Sequence, residues 1–187
     1  MKYNIPLSHQ IETENFLLKI PEESDIPHVF SATRYKGFND GMQWDPPESI
    51  DELQAPLEGS HKKWEAEQEF SFSIRHKEKQ EFLGRISIRI TEEKDIWNVG
   101  FWTHPRSQGK GVMTESLAAV LTFGFENLGA KKIEAAYAIW NKASEKVLHR
   151  NGLTFVEFLE KGFQKRGEWV AENLVAIDRA IWEERLN

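Results

Sequence analysis

The chain has 187 residues, no cysteine, and 24 basic against 30 acidic side chains, which gives a formal net charge of −6. This length predicts one domain that buries its core without disulfides or a structural metal, and the missing cysteines exclude thiol nucleophiles and thiolate metal sites. The acidic balance argues against a nucleic-acid partner, because phosphate-backbone binding needs a basic surface.

The apolar stretches are all far shorter than the roughly 20 residues that span a bilayer. Residues 1–6 do not lead into the apolar segment of a signal peptide. We therefore expect a cytoplasmic protein with no membrane partner.

The first third of the chain is predicted to be the irregular part. Residues 12–20 are typical of a strand, and residues 21–25 form a turn into a helix. Glycine and proline then interrupt regular structure around Trp44, and Ser49 or Asp51 is expected to cap a second helix.

The middle of the chain is predicted to form strands. Apolar and polar residues alternate over 70–75 and 85–90, which a hairpin at 76–81 joins, and a third strand covers 96–103. Gly100 lies inside that third strand, where it indicates a bulge, a close backbone approach to a ligand, or an ordinary strand glycine.

A glycine-rich turn leads into the clearest helix, whose apolar residues recur at helical spacing over 113–128, and Gly129 ends it. Alternation over 133–139 predicts the next strand. Asn141 is expected to cap a helix over 142–151.

The tail is predicted as two strands, 154–158 and 169–177, joined by a loop over 161–167. Interleaved strands and helices indicate one mixed sheet, in an α+β or α/β sandwich.

The turn over 103–112 lies between a strand and a helix. Such a turn exposes unpaired backbone N–H groups at the positive end of the helix dipole, and Arg106 and Lys110 add positive charge, so it suits a phosphate. The residues around Gly109 fit neither a P-loop nor a dinucleotide fingerprint. A purely structural turn is the alternative.

The motif Arg106-x-x-Gly109-x-Gly111 resembles the Gln/Arg-x-x-Gly-x-Gly/Ala signature of the GNAT superfamily of acetyl-CoA-dependent N-acetyltransferases. Asn141-x-x-Ser144 and the later run at 151–155 resemble the RimJ/RimL-type branch, which acetylates protein α-amino groups or small amines. The segments 44–47 and 166–170 are also similar to that branch.

The resemblance implies an α/β (α+β) fold with a mixed, mostly antiparallel sheet of about seven strands, splayed in the middle and covered by helices on both faces. It implies a single N-acetyltransferase domain over 1–187. Residues 1–68 would shape the acceptor site, and residues 69–187 would bind acetyl-CoA.

The resemblance also implies direct transfer of the acetyl group to a primary amine, without a metal, by a monomer or homodimer. A protein N-terminus and a small-molecule amine are both open as acceptors. The rival hypothesis is a non-catalytic acetyl-CoA sensor or assembly module, because Leu148 and Asn98 occupy positions where relatives often carry a Tyr acid and a Glu base.

The candidate site residues fall into four groups. Ser144 replaces the missing Tyr as the acid, unless Asn141 and Ser144 only cap the helix. Phe38 and Trp44 are expected to contact the acceptor, with Trp64 as further aromatic surface. The base is left open: His104, Tyr137 and Glu172 are able by their chemistry alone, and a water-relayed base or an amine that arrives already deprotonated is an alternative. The residues expected to bind the cofactor are Phe101, Trp102, Thr103, Arg106, Gln108, Gly109, Lys110, Gly111, Val112, Met113, Thr114 and Asn141.

Overall fold

The computed structural model describes residues 3–186 of the chain. The strands are β1 (Gln10–Glu12), β2 (Phe16–Lys19), β3 (Glu69–His76), β4 (Phe82–Ile90), β5 (Ile96–Thr103), β6 (Lys132–Ala138), β7 (Thr154–Lys165) and β8 (Glu168–Asp178). The helices are α1 (Ile26–Thr33), α2 (Gln54–Glu65), α3 (Val112–Glu126), α4 (Lys142–Arg150) and α5 (Arg179–Glu184).

All eight strands form one sheet in the order β1-β2-β3-β4-β5-β6-β8-β7. Neighbouring strands are antiparallel except β5 and β6, which are parallel. The predicted mixed, mostly antiparallel sheet is confirmed. It has one strand more than expected, because a turn in which Thr13 and Phe16 exchange hydrogen bonds divides the predicted strand 12–20 into β1 and β2.

The sheet opens in its middle, as predicted. β5 and β6 are paired only through residues 96–98 and 132–134. Beyond these pairs β5 continues to Thr103 and β6 to Ala138 without a ladder between them. The backbone groups that face the gap therefore have no strand partner, and buried polar backbone groups require one.

Helix α3 packs closely on one face of the sheet through Gly124. A methyl group at this position would lie 2.6 Å from Ile133 Cδ1 and 2.7 Å from Ile88 Cδ1. Phe72 of β3 contacts Phe123 of α3 on this same face, with ring centroids 5.6 Å apart. Glycine thus sets how near the C-terminal end of α3 comes to the strands.

Helix α1 is held on the opposite face. Ser73 and Arg75 alternate with Phe72 along β3, so their side chains point away from α3. Both contact Asp25, which precedes α1 and is fully buried. Its carboxylate accepts a 2.6 Å hydrogen bond from the Ser73 hydroxyl and pairs with the Arg75 guanidinium. Helices on both faces are therefore confirmed.

One expectation about the tail was wrong. The loop predicted over 161–167 is strand, since β7 runs to Lys165 and only Arg166 and Gly167 turn the chain. Both turn residues have positive φ, as a tight two-residue hairpin requires. A register irregularity between Leu159 and Phe163 accommodates the polar residues that resembled a loop.

Trp64 was expected at the acceptor wall, and this was also wrong. Its side chain is 1% exposed and contacts the rings of Phe70 and Phe72 in the core. Its Nε1 donates to the Ile5 carbonyl oxygen over 3.0 Å. A tryptophan on an amphipathic helix is core more readily than it is pocket, because it buries a large apolar area.

Gly124→Ala is expected to lower the free energy of unfolding by about 1–3 kcal/mol, because the added methyl overpacks Ile88 and Ile133. Urea unfolding measures this change. Gly59→Ala in α2 is the matched control, since a methyl there meets nothing within 4 Å and should stabilise the helix by up to about 1 kcal/mol. Equal unfolding midpoints for the two variants would contradict the close packing.

Candidate active site

A cleft of about 620 Å³ lies where β5 and β6 diverge. Its walls come from β5, the glycine turn, the start of α3, the end of β6, α4 and the loop before residue 45. Of the residues expected to bind the cofactor, contact the acceptor or act as the acid, those that line it are Phe38, Trp44, Phe101, Trp102, Thr103, Gln108, Gly109, Gly111, Val112, Met113, Thr114, Asn141 and Ser144.

The glycine turn presents a row of free backbone donors to this cleft. Within the described chain, none of the N–H groups of residues 108–114 donates a hydrogen bond to another protein group. Gly109 and Gly111 adopt φ values of +74° and +78°, which few side-chain-bearing residues tolerate. These donors stand at the N-terminus of the 15-residue α3, where the helix dipole favours negative charge.

Arg106 and Lys110 lie apart from the lining residues of the cleft. The Arg106 Nε donates to the Tyr35 hydroxyl over 2.6 Å, and the Lys110 Nζ donates to the Arg106 carbonyl oxygen over 3.0 Å. Both side chains are thus engaged within the turn and with the end of α1. The sequence predicted them as ligands because it shows charge near the turn but not side-chain direction.

Three other cations line the cleft and were missed by sequence reasoning: Arg89 on β4, and Lys146 and Arg150 on α4. Lys146 and Arg150 lie four residues apart on α4, and so share one face of that helix. Both are exposed, and the described residues offer neither an ion pair. The sequence signal that could have found Lys146 and Arg150 is their position two and six residues after Ser144 on the same predicted helix.

Ser144 brings a free hydroxyl to the cleft from the first turn of α4. The Ser144 N–H donates to Asn141 Oδ1 over 3.1 Å, so Asn141 is the N-cap of the helix. The Ser144 Oγ makes no hydrogen bond within residues 3–186, which leaves it available to a ligand. Leu148, one turn further, is 1% exposed and belongs to the core.

Asn98 stands on β5 where the resemblance led to the expectation of a carboxylate base. Its Oδ1 accepts hydrogen bonds from Arg89 Nε and Nη2 over 3.1 and 3.0 Å. An amide cannot take up a proton at neutral pH. Asn98 therefore holds Arg89 across the strands rather than acting as a base.

His104 was one of three groups left open as the base. It is buried outside the lining of the cleft, and its Nδ1 accepts a hydrogen bond from the Arg106 backbone N–H over 3.2 Å. Burial, followed by the charge of Arg106, lowers the pKa of His104. This arrangement gives it the role of capping the 3₁₀ turn Pro105–Ser107.

Tyr137 and Glu172 do line the cleft. The Tyr137 hydroxyl donates to Glu145 Oε1 over 3.2 Å and accepts from Asn173 Nδ2 over 3.3 Å, so it is already engaged. Glu172 is 6% exposed and has no hydrogen bond or ion pair within the described chain. Burial raises its pKa.

The far end of the cleft is aromatic. Phe38 contacts Trp44 and Trp102 edge to face, with centroids 6.2 and 5.3 Å apart. Trp140, which sequence reasoning missed, lines the same end and is 52% exposed. It closes on Gly41, where a methyl group would lie 3.2 Å from its Cη2.

The aromatic loop, residues 37–48, carries Phe38 and Trp44 and is fastened to the β7–β8 hairpin by Lys165. The Lys165 Nζ donates to the carbonyl oxygens of Met42 and Trp44 over 3.0 and 2.7 Å. It also forms an ion pair of 2.8 Å with Asp45. One nearly buried ammonium group thus fixes the backbone of the wall.

No helix within residues 3–186 has both the length and the hydropathy needed to cross a membrane. Over that same range, the structure groups no three His, Asp or Glu side chains in a way that could hold a metal ion.

Comparison with known proteins agrees with the geometry of the cleft. Residues 15–154 match the acetyltransferase (GNAT) domain. The uncharacterized N-acetyltransferase YoaA of Bacillus subtilis (strain 168) is 23% identical over 182 residues, which cover 92% of this chain and 94% of YoaA.

Two solved structures share the fold. RimL, a ribosomal L7/L12 α-N-protein acetyltransferase in complex with coenzyme A, superposes with a TM-score of 0.82 at 20% identity over 91% of this chain and 98% of RimL. RimJ of Mycobacterium smegmatis, in complex with CoA-disulfide, gives 0.79 at 20% identity over 92% and 88%. At this identity, the two likenesses show the fold of the chain. The domain match covers well over half of this chain. The chain therefore belongs to the GNAT acetyltransferase family and is an acyltransferase.

Proposed function

We propose that this protein transfers an acetyl group from acetyl-CoA directly to a primary amine, carried by a protein N-terminus or by a small molecule. The observation that carries the proposal is the row of unpartnered N–H donors at residues 108–114, which opens on the same cleft as the free Ser144 hydroxyl. The N–H donors suit a bound anion, and the Ser144 hydroxyl lies where a leaving group would need a proton.

The donors at residues 108–114 would hold the pyrophosphate of acetyl-CoA. Lys146 and Arg150 would add charge from α4, in place of the side chains of Arg106 and Lys110. Asn141 would support this wall by fixing the first turn of α4. A pyrophosphate held by oriented N–H groups and screened by two cations loses little of the stabilisation that water gives it.

The splayed edge of β5 would hold the arm that carries the thioester. Phe101, Trp102 and Thr103 lie beyond the last β5–β6 pair, so their backbone groups on the side of β6 are free to bind an extended ligand. A backbone N–H at this edge would also stabilise the negative charge that develops on the thioester oxygen.

Ser144 would protonate the thiolate that leaves. The acceptor amine would enter past Phe38, Trp44 and Trp140, whose rings exclude water from the amine's path. The attacking nitrogen forms the new C–N bond while the C–S bond breaks, and a proton lost by nitrogen ends on the sulfur of CoA.

An assay of CoA release tests the proposal. The protein is incubated with acetyl-CoA and a panel of peptide α-amines and primary alkylamines, and the free thiol is followed with a thiol reagent. Because the chain has no cysteine, the signal reports CoA alone, and mass spectrometry identifies the acetylated amine. Direct transfer predicts intersecting initial-rate lines when both substrates are varied, whereas parallel lines would indicate a covalent intermediate.

The non-catalytic rival makes the opposite prediction. A sensor or assembly module would bind acetyl-CoA and release no CoA beyond the uncatalysed rate with any amine of the panel. This outcome would overturn the proposed function.

A further inference from the structure

Glu172 is the one carboxylate among the described residues that line the cleft. It lies on β8 opposite Ala138, the last residue of β6. Ala138 itself lines the cleft beyond the point where β5 and β6 separate. The Glu172 side chain therefore borders the opening in which the reaction is proposed to occur.

The Glu172 residue is largely buried, and its carboxylate borders the cleft with no ion pair or hydrogen bond from the described chain. A carboxylate in such surroundings is ordinarily paired with a cation or with several donors, because removing the charge from water is unfavourable. Here the side chain is 6% exposed, and no described group donates to it. The fold thus maintains a destabilising charge at the wall of the cleft, which is typical of functional groups.

The neighbouring elements leave space for Glu172 and bring no charge to it. On β7, a methyl group at Gly162 would lie 2.5 Å from Glu172 Oε2. Among the titratable groups nearby, the Tyr137 hydroxyl on β6 donates to Glu145 of α4, and the Lys161 ammonium on β7 lies 5.9 Å from the centre of the Trp169 ring.

Two further cations on these elements are directed elsewhere. Lys165 at the end of β7 fastens the aromatic loop, and Lys146 on α4 is exposed at the other wall. Burial alone raises the pKa of Glu172, with no opposing charge. A carboxylate shifted upward in this way is a better match to the pKa of an amine than an ordinary one.

We propose that Glu172 is the general base of the reaction and accepts a proton from the ammonium form of the acceptor. This inference rests on the proposed function. The proton passes from the acceptor nitrogen to a Glu172 carboxylate oxygen, the freed electron pair attacks the thioester carbon, and the proton on Glu172 then returns to solvent. The second proton that nitrogen loses ends on the CoA sulfur, so the step balances as an ammonium and a thioester giving an amide, a thiol and one proton.

Glu172→Gln tests the proposal, because it keeps the shape of the side chain and removes its basicity. With the amine that the wild type acetylates fastest, kcat/KM at pH 7 should fall by about 10²-fold, while the dissociation constant of acetyl-CoA stays within about twofold. Glu157→Gln, a change of the same chemistry on the exposed part of β7, should leave both quantities unchanged.

The pH profile distinguishes a base from a positioning role. In the wild type, the acidic limb of kcat/KM should follow Glu172, because the ammonium form reacts once Glu172 is ionised. In Glu172→Gln, only free amine reacts, so the limb should move up to the pKa of the acceptor measured by separate titration. An unchanged limb in the variant would overturn the proposal.

Stability provides a second readout with a definite sign. The pKa of Glu172 in the folded protein lies above its unfolded value, so ionisation disfavours folding, and this penalty appears as pH rises through the folded pKa. Glu172→Gln should therefore melt at a higher temperature than the wild type at pH 8 and at the same temperature near pH 4. A lower melting temperature at pH 8 would show that the carboxylate supports the fold instead.

Gly162→Ala moves the carboxylate without removing it. The added methyl displaces Oε2, so kcat should fall by about tenfold or more while the limb of the pH profile remains. If Gly162→Ala and Glu172→Gln both keep the wild-type kcat, the assignment of Glu172 as the base is overturned and the proposed function is not. Absence of turnover by the wild type with every amine would overturn the proposed function and this inference together.

Discussion

Acetyl-CoA is expected to bind about 100-fold more weakly to Gly109→Val/Gly111→Val than to the wild type. A left-handed backbone costs a residue with a side chain about 1–2 kcal/mol, and every 1.4 kcal/mol is about tenfold in affinity. Nothing lies within 4 Å of a Cβ at either position, so the effect arises from the backbone and not from a clash. The relaxed turn would direct the N–H groups of residues 108–114 away from the pyrophosphate.

Titration calorimetry with acetyl-CoA measures this change, and Gly129→Val/Gly167→Val is the matched control. Both control glycines have positive φ, at +66° and +83°, and open space around a Cβ, but neither lines the cleft. The control should lose stability and keep its affinity. If both double variants bind acetyl-CoA as the wild type does, the turn is structural and the anchor lies elsewhere.

Ser144→Ala is expected to lower kcat by about 10²-fold, the usual contribution of a general acid. The affinity for acetyl-CoA should stay within about twofold. The backbone N–H of residue 144 still donates to Asn141 Oδ1, so α4 begins as before. Steady-state kinetics, with CoA release as the signal, separates kcat from KM.

Ser60→Ala controls for the loss of a helical serine. Ser60 is partly exposed on α2, and its hydroxyl donates to the Pro56 carbonyl oxygen, away from the cleft. This variant should keep wild-type kcat. An unchanged kcat with a raised KM in Ser144→Ala would instead assign the hydroxyl to substrate binding alone.

The sequence predicted those elements whose signal is local. Strand β5 has the predicted bounds, and Gly129 follows α3 with the positive φ expected of a helix end. Such features depend on a short apolar period or on the backbone of one residue. The resemblance to the GNAT family then supplied the topology, including the gap between β5 and β6.

Features that depend on distant contacts were not predictable from the sequence. Gly162 and its polar neighbours resemble a loop, yet a register irregularity keeps them in β7. Helix α5 was missed because its short sequence is fixed by Trp182, whose ring lies 4.9 Å from that of Phe125. Tertiary packing overrides local preference at such positions.

The same limit applies to the candidate site. The glycine turn could be found because its motif is continuous, whereas the direction of the Arg106 side chain depends on Tyr35 at the end of α1. Glu172 could be named only as one of three chemically able groups. Glu172 is buried, lies opposite Ala138 and has no hydrogen-bond partner among the described residues. These properties come from the sheet and not from any motif.

The fastening of the aromatic loop by Lys165 ties two segments that are more than a hundred residues apart. The β7–β8 hairpin carries both Lys165 and Glu172. It therefore holds the loop past which the amine would enter and also carries the proposed general base. Replacing residues 37–48 by a loop of different length or course would move the Met42 and Trp44 carbonyl oxygens away from Lys165 and leave its ammonium group without them. Any redesign or divergence of acceptor preference must therefore change this loop and the β7–β8 hairpin as a unit.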